Sequence, residues 1–147
     1  MANYCYSFEE VIASYVSPTG FADLTNGAQE GGITISMTED KVNRQIGADG
    51  SGMYSLRADN SGEITVKLLK NSPTNALLSA YYDAQKADPA LVGQGIININ
   101  SNVGDEIIAT GVAFKKLPSV VYDKDGAMLE WDFYAIKIEM LLAASIV

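Results

Sequence analysis

The 147 residues suit one domain, and 48% hydrophobic against 19% charged residues give enough apolar material for a packed core. Eighteen acidic residues against ten basic ones leave a formal charge of -8, which excludes a surface that grips phosphate backbones through clustered Lys and Arg. Histidine is absent, so the commonest general base and metal ligand is missing, and the lone Cys5 cannot close an internal disulfide.

In chain order, Met1 to Tyr6 lack the basic stretch and apolar run of a secretory signal. Turn signals follow at Pro18-Thr19-Gly20, Asn26-Gly27, Asp49-Gly50-Ser51-Gly52, Asn60-Ser61-Gly62, Asn102-Val103-Gly104 and Asp123 to Gly126. Period-two runs lie between them. Ile33, Ile35 and Met37 alternate with Thr34, Ser36 and Thr38. Ile64, Val66 and Leu68 alternate with Glu63, Thr65 and Lys67, and Ile97 and Ile99 with Asn98 and Asn100. Each predicts a strand with one buried and one wet face.

Residues 32–69 predict a long hairpin with a polar tip between Asn43 and Tyr54. One helix interrupts the strands. Ser72 caps it, Pro73 takes its first position, Leu77/Tyr81 and Leu78/Tyr82 share faces, and Pro89 stops it. Near the C-terminus, Leu129, Trp131 and Phe133 are the apolar positions until Tyr134. Ile136, Ile138 and Met140 then take over, which requires a β-bulge or a strand that leaves its sheet for another subunit. The apolar tail Met140–Val147 is too short for a membrane span of roughly 20 residues.

Chemical motifs are weak. Without histidine no Ser–His or Cys–His pair exists, and no serine has a lysine three residues on. Cys5, between two tyrosines, reads as a packing residue. Asp123-Lys124-Asp125-Gly126 resembles the middle of a calcium loop, but its first ligand position falls on Val121. The pairs Glu9-Glu10 and Asp105-Glu106 point to opposite faces if they lie in strands. Gly47, Gly50 and Gly52, and Gly93-Gln94-Gly95, miss the dinucleotide spacing. No cofactor, metal or catalytic residue is expected. What remains is surface: short polar side chains on the wet faces of the alternating strands, either an ordinary solvent-facing sheet or a smooth wall.

Tyr6-Ser7-Phe8-Glu9-Glu10-Val11 leads to Pro18-Thr19-Gly20-Phe21, then Gly31-Gly32-Ile33-Thr34-Ile35, Thr38-Glu39-Asp40-Lys41 and Gly47-Ala48-Asp49-Gly50. Ser61 to Leu69 runs into Ser72-Pro73-Thr74-Asn75-Ala76-Leu77-Leu78, with Gly111 to Pro118 and Trp131-Asp132-Phe133 later. This order resembles the tail tube proteins of contractile-tailed bacteriophages over nearly the whole chain. The resemblance implies a mainly β protein, a β-sandwich or barrel with one flanking α-helix. It further implies hexameric rings with a shared inner barrel, stacked into a tube that conducts phage DNA. Residues 1–147 would be a single domain whose hairpin, at about 40–59, reaches the next ring through Arg44, Gly47, Asp49, Gly50, Gly52 and Arg57. The wall facing the DNA is expected to comprise Thr34, Ser36, Thr38, Asp40, Glu63, Thr65, Asn98 and Asn100, with Lys67 as a departure that Glu63 or Asp40 would pair. Expected partners are further copies of the chain, the tail sheath, a baseplate or tube initiator, the tail terminator and the tape measure protein. DNA would pass without specific binding, there would be no membrane insertion, and assembly would take place in the host cytoplasm. Alternatives are the tube of a genome-free contractile system, a monomeric β-barrel binding module, and a small β-barrel enzyme using Asp and Glu.

Overall fold

The computed structural model describes residues 11–25, 28–101, 104–122, 124 and 128–142, without the side chains of residues 28–31. Cys5, Glu9-Glu10, the rest of the Tyr6–Glu10 stretch, and the turn positions 26–27, 102–103, 123 and 125–126 lie outside those residues.

The strands are β1 (Ile12–Ser17), β2 (Gly20–Asp23), β3 (Ala28–Met37), β4 (Val42–Ile46), β5 (Gly52–Leu56) and β6 (Gly62–Leu69). A helix, α1 (Thr74–Ala87), and a 3-10 turn at Pro89–Leu91 precede β7 (Gly95–Asn100), β8 (Glu106–Lys116), β9 (Met128–Ala135) and β10 (Lys137–Leu141). The main sheet runs β2-β1-β7-β8-β9-β6-β3 with β10 beside β8, every pair antiparallel. The fold is therefore mainly β, a sandwich with one flanking helix.

The sandwich forms because the sheet turns a corner in mid-strand. Along β8 the residues up to Thr110 pair with β7 and β10, and those from Ala113 pair with β9. Between them Gly95 faces Val112 while Ile96 faces Thr110, so Gly111 is the extra residue of a bulge. Its φ of +66° is a left-handed conformation that glycine adopts without strain. Opposite it, β9 ends at Ala135, Ile136 bends outward, and β10 resumes with Lys137 against Thr110. This places the expected change of face at Ile136 rather than Tyr134. Leu129, Trp131, Phe133 and Ala135 are buried, Tyr134 and Ile136 are exposed, and burial returns on Ile138. The bulge at Gly111 lies in β8 against β7, and β9 and β10, in one register along β8, change face in step with it.

The inward faces bury one core from both halves of the sheet: Ile64, Val66 and Leu68 of β6, Ile97 and Ile99 of β7, Ala13 and Tyr15 of β1, and Trp131 and Phe133 of β9. Phe114 sits at its centre, its ring 4.9–6.0 Å from those of Tyr15, Tyr82, Trp131 and Phe133. Helix α1 covers the open side. The Ser72 hydroxyl accepts the Thr74 N–H at 3.3 Å, one residue ahead of the first helical turn. Thr74 Oγ1 and Tyr81 OH donate to the carbonyls of Asp23 and Phe21, which ties α1 to the β2 edge. At the far end Asp88 is extended ahead of Pro89, as a residue preceding proline must be. The Trp131 indole donates to Asn75 Oδ1 at 3.0 Å, and Asn75 Nδ2 donates to the carbonyls of Leu69 and Lys70, so one part-buried network joins helix, β6 and β9.

Candidate functional site

Two surfaces remain after the core is accounted for. The first is a polar ladder across β3, β6 and β9. Register places Thr34 beside Thr65 and Thr65 beside Asp132, with Ser36, Glu63 and Tyr134 in the neighbouring row and Lys67 beside Glu130. Thr65 Oγ1 donates to Asp132 Oδ1 at 2.9 Å. Lys115 Nζ lies 3.6 Å from Glu63 Oε1 and over the Tyr134 ring, and the Glu63 carboxylate holds the Lys115 ammonium above its ordinary value. Lys67 pairs with Glu130 at 3.8 Å, not with Glu63 or Asp40. These pairs are half-exposed, so water screens them and they add little to stability. Their consequence is electrostatic: the ladder's cations are matched by carboxylates of the same subunit, so the face is hydrated and close to balanced in charge.

The structure brings only four of the eight expected wall residues, Thr34, Ser36, Glu63 and Thr65, into that ladder. Thr38 and Asp40 lie beyond β3, exposed in the link to the hairpin, where Thr38 N–H donates to the Ser61 carbonyl. Asn98 and Asn100 are misplaced by the expectation. They stand on β7, in register with Ser14 and Ile12 on one side and Ile108 and Glu106 on the other. Ile33 and Ile35 of β3 line one pocket with Ile99 of β7 and pack against the same core, so the two strands face each other across it. Their outward faces therefore point apart, and Asn98 and Asn100 cannot share a wall with Thr34. Alternation identifies a wet face on each strand but not which side of a sandwich it is on.

The second surface is the arm formed by β4 and β5. Its base is fastened by Arg57 Nη1 on Glu39 Oε2 at 2.7 Å and Lys41 Nζ donating to Asn60 Oδ1 at 2.9 Å. Its tip turns through Gly47 to Gly50, with Gly50 at φ +88° and the Gly47 N–H bonded to the Ser51 carbonyl. Asp49 Oδ1 accepts both the hydroxyl and the N–H of Ser51, and the hydroxyl bond is the main cause holding its carboxyl below the ordinary value. Arg44 lies on β4, Gly47 and Gly52 flank the turn, and Arg57 sits at the base, so the six expected loop residues do share this arm.

The arm is not merely polar. Val42 faces Leu56, Arg44 faces Tyr54 and Ile46 faces Gly52, so Val42, Ile46, Tyr54 and Leu56 share one side while Asn43, Gln45 and Ser55 take the other with Met53. The first four are 50%, 62%, 72% and 78% exposed. Sequence reasoning missed this face, because Arg44 stands between Val42 and Ile46 and Met53 adjoins Tyr54, so neither run alternates cleanly.

No group of three or more Cys, Asp or Glu side chains among the described residues is arranged to hold a metal ion. No helix among them is long and apolar enough to cross a membrane. A β-sandwich with a long projecting hairpin and one covering helix has counterparts. The sequence matches the family of the bacteriophage PhiTE tail tube protein over residues 1–143.

The chain belongs to this tail tube family.

Solved structures agree in fold. A chain of the extended sheath–tube complex of an extracellular contractile injection system, PVC, superposes with a TM-score of 0.61 at 14% identity, over 94% of this chain and 92% of that one. A chain of the PVC sheath/tube terminator gives 0.63 at 15% identity, over 96% and 99%. A chain of the six-fold symmetrised anti-feeding prophage baseplate gives 0.63 at 10%, over 98% and 99%. None of the curated proteins matches the sequence. The tail tube protein is thus a component of a phage or phage-like tail particle, and the fold is shared with contractile injection systems.

Proposed function

We propose that this tail tube protein assembles into hexameric rings that stack into the hollow inner tube of a contractile tail, and that the tube conducts phage DNA into the host. The observation that carries the assembly is the arm: a two-stranded ribbon with four large apolar side chains exposed on one face and none of the described residues covering them. A hairpin of this kind has marginal stability alone and gains it by packing on another surface. The two ends of the sheet differ in the same sense. The β2 edge is engaged by α1 through Thr74 and Tyr81, whereas β3 closes the other end of the strand order. Pairing across subunits at β3 would remove an exposed edge of the kind that invites aggregation.

In this reading the ladder of Thr34, Ser36, Glu63 and Thr65 faces the lumen, with Thr38 and Asp40 at its rim. A hydrated wall whose cations are paired within each subunit offers a polyanion no array of free Lys and Arg to hold. The protein carries out no bond chemistry; its work is assembly and low friction. A sheath, a baseplate initiator, a terminator and a tape measure protein are its partners in the particle, which assembles in the host cytoplasm. A second reading, a tube that carries no genome, is favoured by the likeness to the two injection systems.

Ejection tests the conduit. Particles carrying Asp40→Lys and Glu63→Lys together place unpaired cations on the wall and should release DNA more slowly, with the delay relieved by added salt. Ejection at the unchanged rate from intact variant tails contradicts the lumen assignment.

A further inference from the structure

The core has an open flank. Val11, Ile33, Ile35, Ile99 and Ile107 line a pocket of about 200 Å³, with Ser101 and Asp105 at its rim. It lies against β3, the last strand in the sheet order, whereas α1 is fastened at the opposite edge, β2. Exposure marks the gap. Val11, Ile99 and Ile107 retain 6–8% of their surface, but Ala13, Ile97 and Ala109, one step further along each strand, retain none. Ile33 and Ile35 are only partly buried. One more large apolar side chain would complete this layer.

Val11 is also where the described part of the chain starts. In the residues before it the even positions Tyr4, Tyr6 and Phe8 are aromatic, whereas Val11, Ala13 and Tyr15 put the buried phase on odd positions. Glu9 and Glu10 stand at the change. A strand cannot switch face without a bulge or bend. This chain makes one such switch at Ile136, where it turns the corner between the two halves of the sheet. The same signal ahead of Val11 indicates a second bend, with the carboxylates outside it and the aromatic residues on its inner side.

We propose that residues 4–8 cross this flank within their own chain, with Phe8 seated in the pocket. Phe8 is three residues from Val11, a reach of roughly 10 Å at 3.3–3.6 Å per residue, and Val11 itself lines the pocket. The volume admits one aromatic ring. The C-terminal segment is a poorer occupant. No residue of β10 lines the pocket, Leu142 is exposed, and Ala143-Ala144-Ser145 separate it from Ile146. A ring seated there touches β1, β3, β7 and β8 together, so the segment holds the β3 edge against the rest of the core. The inference does not rest on the tube reading. Where both hold, the subunit contact at β3 includes this segment.

Disulfide trapping tests the seat. In a Cys5→Ser background, Phe8→Cys is combined with Ile35→Cys, and Ser7→Cys with Ile35→Cys serves as a control on the same tether. Isotopically light and heavy protein are mixed, oxidised, and the linked peptides weighed. The Phe8→Cys pair is expected to close about tenfold faster than the control, within chains only, because the seat raises the effective concentration of its thiol. Equal rates, or links that join light to heavy chains, overturn the proposal. A second measurement needs no cysteines. Phe8→Ala should speed amide exchange at Ile35 and Ile99 about fivefold relative to Ser7→Ala, because it opens the layer locally. Equal exchange in the two variants overturns the proposal as well.

Discussion

The side chain of Gln85 pairs with the backbone of Phe114 as a neighbouring strand would. The Phe114 N–H donates to Gln85 Oε1 at 3.0 Å, and Gln85 Nε2 donates to the Phe114 carbonyl at 3.3 Å. Strand β7 starts at Gly95, opposite Val112, so β8 loses that neighbour just before Phe114. The helix supplies the missing hydrogen bonds through one amide, at the residue whose ring centres the core. Gln85→Ala leaves both backbone groups unpaired and is expected to cost about 1–3 kcal/mol. Urea unfolding followed by the fluorescence of buried Trp131 measures it, and Gln85→Glu, which keeps an acceptor but no donor, should recover only part of the loss.

The corner of the sandwich makes a second prediction. At Gly111 a Cβ would lie 2.9 Å from Ile136 Cβ, and the φ of +66° would remain. Gly111→Ala should therefore destabilise by about 1–2 kcal/mol from the left-handed conformation alone, plus the clash. Adding Ile136→Gly relieves only the clash. Thermal unfolding of the two variants separates the contributions: full recovery in the double variant would show that conformation contributes nothing.

A third prediction concerns alkaline pH. Burial pushes the Tyr15 phenol above its ordinary 10.0, partly opposed by a hydrogen bond with Ser17 and reinforced by Tyr81. The folded protein thus favours the neutral phenol. Its contribution is complete below pH 10.0 and is lost as pH rises through the raised value. Lys115 and Lys137 are also raised, by Glu63 and Glu139, and their contributions fade above 10.5. Urea midpoints at pH 8 and pH 11 should converge more in Tyr15→Phe than in the parent. Equal declines in both proteins would remove Tyr15 from the account.

How much of this the sequence displays depends on the range of the force involved. Alternation at Ile64/Val66/Leu68 and Ile97/Ile99 reports burial directly, because a strand with one side in the core repeats every two residues. Pro89 marks the helix's end by local chemistry, whereas at its start Pro73, expected as the first helical residue, stands at the N-cap before Thr74 and leaves that position without a side-chain cap from Ser72. The eight wall residues divide because sandwich side is a long-range property: Thr34 and Asn98 read alike in sequence, but their strands face each other across the core. Strand β8 was illegible for a different reason. Gly111 breaks its alternation, and what repairs the strand is Gln85, distant in sequence. The arm's apolar face is not legible because Arg44 interrupts Val42 and Ile46, Met53 adjoins Tyr54, and the glycines and aspartate of the tip separate the two runs.

The central claim is that this chain builds a tube. Cryo-electron microscopy of the purified protein at rising concentration, seeded with tail initiator where it remains dispersed, tests it most directly. The account predicts hollow filaments of stacked six-fold rings, with the β3–β6–β9 ladder on the inner wall and the arm crossing between rings. Monomers that ignore the initiator at every concentration, or filaments with Asn98 and Asn100 on the inner wall, would contradict it.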